Sequence, residues 1–262
     1  MRLLPIGAFL IYLAWYYLTN QAVVPLTERR QLVDMSPDQE MALGLQSYND
    51  ILSRSDVLRS GDVVNAVQQV GARIAAAAAD MDPGFQWEFN VIRSDQANAF
   101  ALPGGKVAVY TGILPIAENT DGLAVIMGHE VAHALARHGA ERMARQKLVQ
   151  MGSMAASFAI GDMDISTQRA VMGALGVGAQ YGVLLPFSRS HESEADYIGL
   201  ILAARACFDP REAPGLWQRM GANAGKTPAE FMSTHPAPET RISQFEQWMP
   251  EALAVREQYC GR

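Results

Sequence analysis

The chain has 262 residues, 49% hydrophobic and 18% charged, so it can bury a sizeable core and is too apolar to be disordered over most of its length. Two cysteines exclude a disulfide-rich scaffold. With 21 Lys+Arg against 27 Asp+Glu, a net charge of −6, there is no basic stripe, and no nucleic-acid partner is expected.

The chain carries no charge between Arg2 and Glu28, and its densest apolar stretch is Leu3 to Leu18. Residues 1–26 read as an N-terminal transmembrane anchor or a signal segment. A spanning helix needs about 20 mostly apolar residues, and Trp15, Tyr16 and Tyr17 would suit a membrane interface. The signal-peptide reading has Arg2 as its charged start but lacks a small-x-small cleavage site, Asn20 standing at −3 for a cut after Ala22. No cysteine follows the apolar run, which excludes a lipoprotein anchor.

Residues 27–262 read as the main domain, with a polar linker from Thr27 to Ser36. Pro37 to Leu52 reads as a helix with Ser36 as its cap. Asp62 to Ala79 is a second, alanine-rich helix. Phe85 to Ile92 alternates as a half-buried strand does. Ala97 to Tyr110 reads as two strands joined through Pro103, Gly104 and Gly105. Beyond Asn119 nearly everything reads as helix, so the fold class is α+β, mostly helical with a small β-sheet. Ala170 to Ser188 is uncharged, but its glycines, Gln180 and Pro186 favour a helix buried in protein over a membrane span. Leu148 to Gly161 is too short to span.

His129-Glu130-Val131-Ala132-His133 is H-E-x-x-H. Histidines four apart lie on one helix face, close enough to share a tetrahedral zinc, and the intervening glutamate can reach a metal-bound water. The apolar run Gly122 to Gly128 continues through Val131, Ala132 and Leu135, which reads as a buried helix. Two imidazoles and a carboxylate are costly to bury unless they are paired or bind a metal. A third ligand must come from elsewhere. In Ser188 to Asp196 either Glu192 or Glu194 suits on charge alone. The i, i+4 pair Glu192 and Asp196 favours Glu192 as ligand and Asp196 as the group orienting a zinc histidine. His191 reads as exposed. His138, taken as lying on the same helix as His129, is outside ligand reach and reads as structural. His235 lies in a loop between Thr234 and Pro236. Arg241 either anchors that loop or sits on a helix surface.

Four segments in order, NAFALPGGKVAVYTGIL (98–114), GHEVAHALARHGAERM (128–143), SRSHESEAD (188–196) and STHPAPETRI (233–242), resemble peptidase family 48 of the metallopeptidases. That group holds the CAAX prenyl endopeptidase, HtpX, and the Oma-like and BepA-like proteases, and the chain looks most like the bacterial Oma-like and BepA-like members. The resemblance implies a mostly helical zincin of the gluzincin type. It also implies one Zn2+ per chain at His129, His133 and Glu192, with Glu130 as catalytic base. It places His235 near the metal, either as an oxyanion stabiliser or in the open zinc position of a resting state. The expected activity is zinc-dependent endopeptidase action on unfolded or misassembled envelope proteins. The alternative is a latent zinc-binding chaperone or assembly factor of the same fold.

The strand at Gly105, Lys106, Val107 and Ala108 is expected to take extended polypeptide substrate by β-addition. Cys207 and Cys260 pair if the domain lies in an oxidising space and otherwise stay free thiols. The N-terminal segment and the resemblance together place the domain in the periplasm of a bacterial cell envelope, anchored to the inner membrane.

Overall fold

The computed structural model describes residues 3–180, 184–223, 231, 235 and 240–261. The fold is α+β and mostly helical. The first helix, α1 (Leu3–Thr19), runs into a two-stranded ladder of β1 (Gln21–Val23) and β2 (Arg30–Leu32). Then come α2 (Pro37–Ser53), β3 (Val57–Leu58), α3 (Asp62–Ala77), β4 (Glu88–Ile92), β5 (Ala99–Leu102) and β6 (Lys106–Tyr110). The remainder is helical: α4 (Leu114–Ala117), α5 (Thr120–Leu135), α6 (His138–Ala159), α7 (Ile165–Ala179), α8 (Leu185–Arg205), α9 (Glu212–Asn223) and α10 (Arg241–Cys260).

Local chemistry sets these boundaries. Ser36 caps α2 in a capping box with Gln39, and Pro37 occupies the first turn, where a missing N–H costs nothing. Asn119 caps α5 by accepting from the Gly122 amide. Gly104 and Gly105 turn the chain between β5 and β6 with φ of +85° and +81°, a conformation glycine adopts without strain.

The strand order in the main sheet is β3-β4-β6-β5. β6 runs parallel to β4 and antiparallel to β5. This corrects the expectation that Gly105 to Ala108 binds substrate by strand addition. Both edges of β6 already carry ladder bonds, the Gly105 carbonyl accepts from the Glu88 amide, and Lys106 is buried with Nζ on the Gln86 carbonyl. The edge strands, among the described residues, are β3 and β5, and β5 is the one beside Glu130.

The core centres on α5, which packs on α8, α3, β5 and α9 and is buried on nearly every face. Cys207 and Cys260 form a disulfide with Cα atoms 5.7 Å apart, tying the end of α8 to the end of α10.

Of the two apolar stretches, the first is not shown to span a membrane and the second differs from expectation. No helix among the described residues is long and apolar enough to cross a membrane. The 17 residues of α1 rise only about 26 Å, against the roughly 30 Å of a hydrocarbon core. Its last turns are tied to the body, where Tyr16 packs with Leu32 and Ala144 and donates to Asp34. The helix α7, covering the first part of Ala170 to Ser188, packs chiefly along α6 and has no buried residue, which corrects the expected buried helix; residues 181–183 lie outside the described set.

Candidate metal centre and active site

The helices α5 and α8 cross beside β5, and their facing turns bring the polar residues together. His129 and His133 project from one face of α5, and Glu192 projects towards them from the first half of α8. His235 joins from the segment before α10. The ligand atoms of these four residues all lie within 4.8 Å of one another. His129 Nε2 is 3.0 Å from His133 Nε2, 3.3 Å from Glu192 Oε2 and 3.3 Å from His235 Nδ1. His133 Nε2 is 3.5 Å from Glu192 Oε1, and His235 Nδ1 is 3.1 Å from Glu192 Oε2.

A tetrahedral zinc with bonds of about 2.0–2.1 Å has ligand atoms about 3.3–3.4 Å apart. The His129, His133, Glu192 and His235 contacts given above run from 3.0 to 3.5 Å, close to that spacing, so the residues fit the metal, with His235 Nδ1 as a candidate fourth donor. Glu194 points the other way, to His138 and Arg29.

The surroundings hold each donor in place. Asp196 accepts from His129 Nδ1 at 2.9 Å and from Arg241 Nε at 2.5 Å. Arg241 also donates to Glu192 at 3.1 Å and lies over the Trp217 ring at 3.7 Å, so it braces one ligand directly and another through Asp196. The His235 ring stacks on Phe231, and its amide donates to the Phe231 carbonyl. Neither Trp217 nor Phe231 carries a sequence signal for this site, since each looks like an ordinary core aromatic.

Glu130 lies beside the donors and is 2% exposed. Its Oε2 accepts from the Ala101 amide of β5 at 3.1 Å, while its Oε1 is buried with no hydrogen-bond partner. Burial pushes its carboxyl above the usual range, against the opposing pull of His235 and His129. Burial acts the same way on Glu192, but hydrogen bonds from His129 and His133 outweigh it and hold this carboxyl well below the usual range. Burial works to lower His129, yet Asp196 and Glu192 hold its proton and raise it to about 9; a cation bound at Nε2 would displace that proton. Burial lowers His133 and, more strongly, His138, leaving both neutral.

A cavity of about 460 Å³ opens onto these residues, walled by Phe100 to Pro103 on one side and by Gln180, Leu184 and Ser188 on the other.

Two sequence expectations are corrected here. His191 is buried, not exposed, because Glu141 of α6 meets its Nε2 at 2.9 Å. His138 is not on the helix of His129. The chain breaks at Arg137, whose φ is +55°, and His138 opens α6 folded back against His133. Arg137 is held in that turn by Glu40 and by the Met35 carbonyl.

Two imidazoles one turn apart, an acidic donor from a second helix and a buried carboxylate beside them are the donor set of a metallohydrolase. Residues 63–249 match Peptidase family M48, and the chain belongs to that metallopeptidase family. It is 41% identical over 247 residues to the mitochondrial metalloendopeptidase OMA1 of Schizosaccharomyces pombe, covering 92% of this chain and 70% of the relative. Against OMA1 of Saccharomyces cerevisiae it is 33% identical over 262 residues, covering 93% and 73%. Against the beta-barrel assembly-enhancing protease of Yersinia pestis it is 29% identical over 240 residues, covering 86% and 48%.

Proposed function

We propose that the chain is a zinc metalloendopeptidase that cleaves unfolded or misassembled polypeptides of a cell envelope, with residues 27–262 as its peptidase domain. The carrying observation is the clustering of the His129, His133, Glu192 and His235 donor atoms within 4.8 Å of one another, next to a buried carboxylate with one oxygen that makes no hydrogen bond.

Zinc held by His129, His133 and Glu192 would polarise the scissile carbonyl and acidify the attacking water. Glu130 accepts the water's proton on Oε1, its other oxygen being fixed by the Ala101 amide, and returns it to the leaving amine. Its raised pKa brings it closer to a working base near neutrality. The open edge of β5 takes extended backbone by strand addition, reading main chain and not sequence. His235 holds the fourth vertex at rest and swings away when substrate enters.

The names of the relatives, mitochondrial metalloendopeptidases and a beta-barrel assembly-enhancing protease, support protein quality control in a membrane-bounded compartment. The Cys207–Cys260 disulfide supports an oxidising one. A reading that fits both is a periplasmic domain in a bacterial envelope, with residues 1–26 as its membrane anchor or signal segment. One observation favours a second reading, a latent zinc-binding chaperone or assembly factor: His235 Nδ1 sits 3.3 Å from His129 Nε2 and 3.1 Å from Glu192 Oε2, where it would occupy the position a substrate needs on a bound zinc.

The test is digestion of casein by the purified protein with and without chelator, beside Glu130→Gln. Metal-dependent cleavage that falls about 10²–10⁴-fold in the variant, with zinc content unchanged, is expected. No cleavage by protein carrying one zinc per chain, even with His235 removed, would favour the chaperone reading.

A further inference from the structure

Behind His133 lies a buried polar cluster that the hydrolysis does not use. His133 Nδ1 faces His138 Nδ1 at 2.8 Å, and His138 Nε2 faces Glu194 Oε2 at 2.9 Å. Glu194 also accepts from Arg29 Nε at 2.9 Å and from Thr27 Oγ1 at 2.5 Å. Arg29 forks onto both oxygens of Glu141, at 3.2 and 2.8 Å. Glu141 in turn meets His191, whose ring stacks on His138 with centroids 3.9 Å apart.

With one proton on each imidazole, the contacts leave one consistent assignment. A carboxylate only accepts, so His138 Nε2 donates to Glu194 and its Nδ1 is left as an acceptor. His133 Nδ1 must then donate to it, and His133 Nε2 keeps its lone pair free to bind a cation. Arg29 matters because it is the cation shared by two buried carboxylates, Glu141 and Glu194. Without it Glu141 keeps Arg145, but Glu194 stands beside His138 with no guanidinium partner, which is costly in the interior. Arg29 lies at the end of the turn between β1 and β2, upstream of the segment that matches the family, and 165 residues from Glu194.

We propose that Arg29, Glu194 and His138 form a positioning relay that locks the tautomer and ring orientation of His133, making the turn between β1 and β2 a working part of the metal site. Any displacement of that turn then reaches His133 through three hydrogen-bonded groups. The relay rests on the zinc reading above.

The first measurement is long-range ¹H–¹⁵N correlation of the imidazoles in the zinc-loaded full chain, in detergent, with His138→Asn to assign the signal. His138 protonated at Nε2 and His133 at Nδ1 is expected. His138 protonated at Nδ1, or at both nitrogens, overturns the relay. The second is zinc affinity by competition with a chromogenic chelator. Glu194→Gln and Arg29→Ala should weaken binding about 10–100-fold, with Arg29→Lys recovering part of the loss. His138→Asn, which keeps an acceptor beside His133, should retain more affinity than His138→Leu. Wild-type affinity in folded Arg29→Ala and His138→Leu would overturn the proposal. A wild-type chain that binds no zinc would sink the zinc reading itself before any variant is made. If the variants do not fold, the wild-type tautomers still decide the relay.

Discussion

Gly199 of α8 lies directly against the backbone of His129. A Cβ built on Gly199 would stand 2.7 Å from the His129 amide nitrogen, and one built on Gly128 would stand 2.8 Å from the Gly199 carbonyl oxygen. No side chain separates α5 from α8 at this crossing, and that closeness lets Glu192 and Asp196 reach the two histidines. Gly199→Ala should push the helices apart, costing about 1–3 kcal/mol in a denaturant titration and weakening zinc binding. A variant with reduced stability but wild-type zinc affinity would show that the crossing supports the fold without setting the site.

His235 Nδ1 is 3.3 Å from His129 Nε2 and 3.1 Å from Glu192, the spacing of a ligand to a shared ion. His235→Ala should therefore open a coordination position and raise casein cleavage several-fold, with little loss of bound zinc. Lost cleavage with zinc retained would instead assign His235 to stabilising the oxyanion.

The carboxyl of Glu141 is held down at about 2: burial raises it, but hydrogen bonds from His191 and Arg29 outweigh burial. A depressed folded-state value means its stabilisation is fully present above the unfolded value near 4.5 and is lost as pH falls towards 2. The amount is on the order of 3 kcal/mol. Glu141→Gln should be less stable than wild type at pH 7 by roughly that amount, with the gap closing as pH drops from 4.5 to 3. Urea titrations across that range check it, and a gap independent of pH would refute the assignment.

The Cys207–Cys260 disulfide closes a span of 53 residues. In the chain-entropy account such a loop contributes about 4 kcal/mol. Reduction, or replacement of both cysteines by serine, should lower the unfolding midpoint accordingly and leave the zinc content of the folded protein unchanged. Zinc lost before unfolding in the reduced protein would show that the tie between α8 and α10 also holds the site.

Much of this architecture could be read along the chain. The cap at Ser36, the turn at Gly104 and Gly105 and the α+β class depend on neighbours in sequence. The pairing of His129 with His133, and the separation of Glu192 from Glu194, follow from the turn of a single helix, and the structure places those side chains as that turn requires. Tertiary packing decided the rest. β6 has the composition of a strand open to substrate, but insertion between β4 and β5 closes both its edges and leaves β5 to face Glu130. His191 is buried only because α6 presents Glu141 to it, and His138 reaches His133 only because Arg137 turns the chain back. Arg29 meets Glu194 across most of the molecule. Periodicity reports where a side chain stands about its own helix or strand axis. Burial, free edges and hydrogen-bond partners depend on which distant segment packs against that face, and no local pattern encodes that choice.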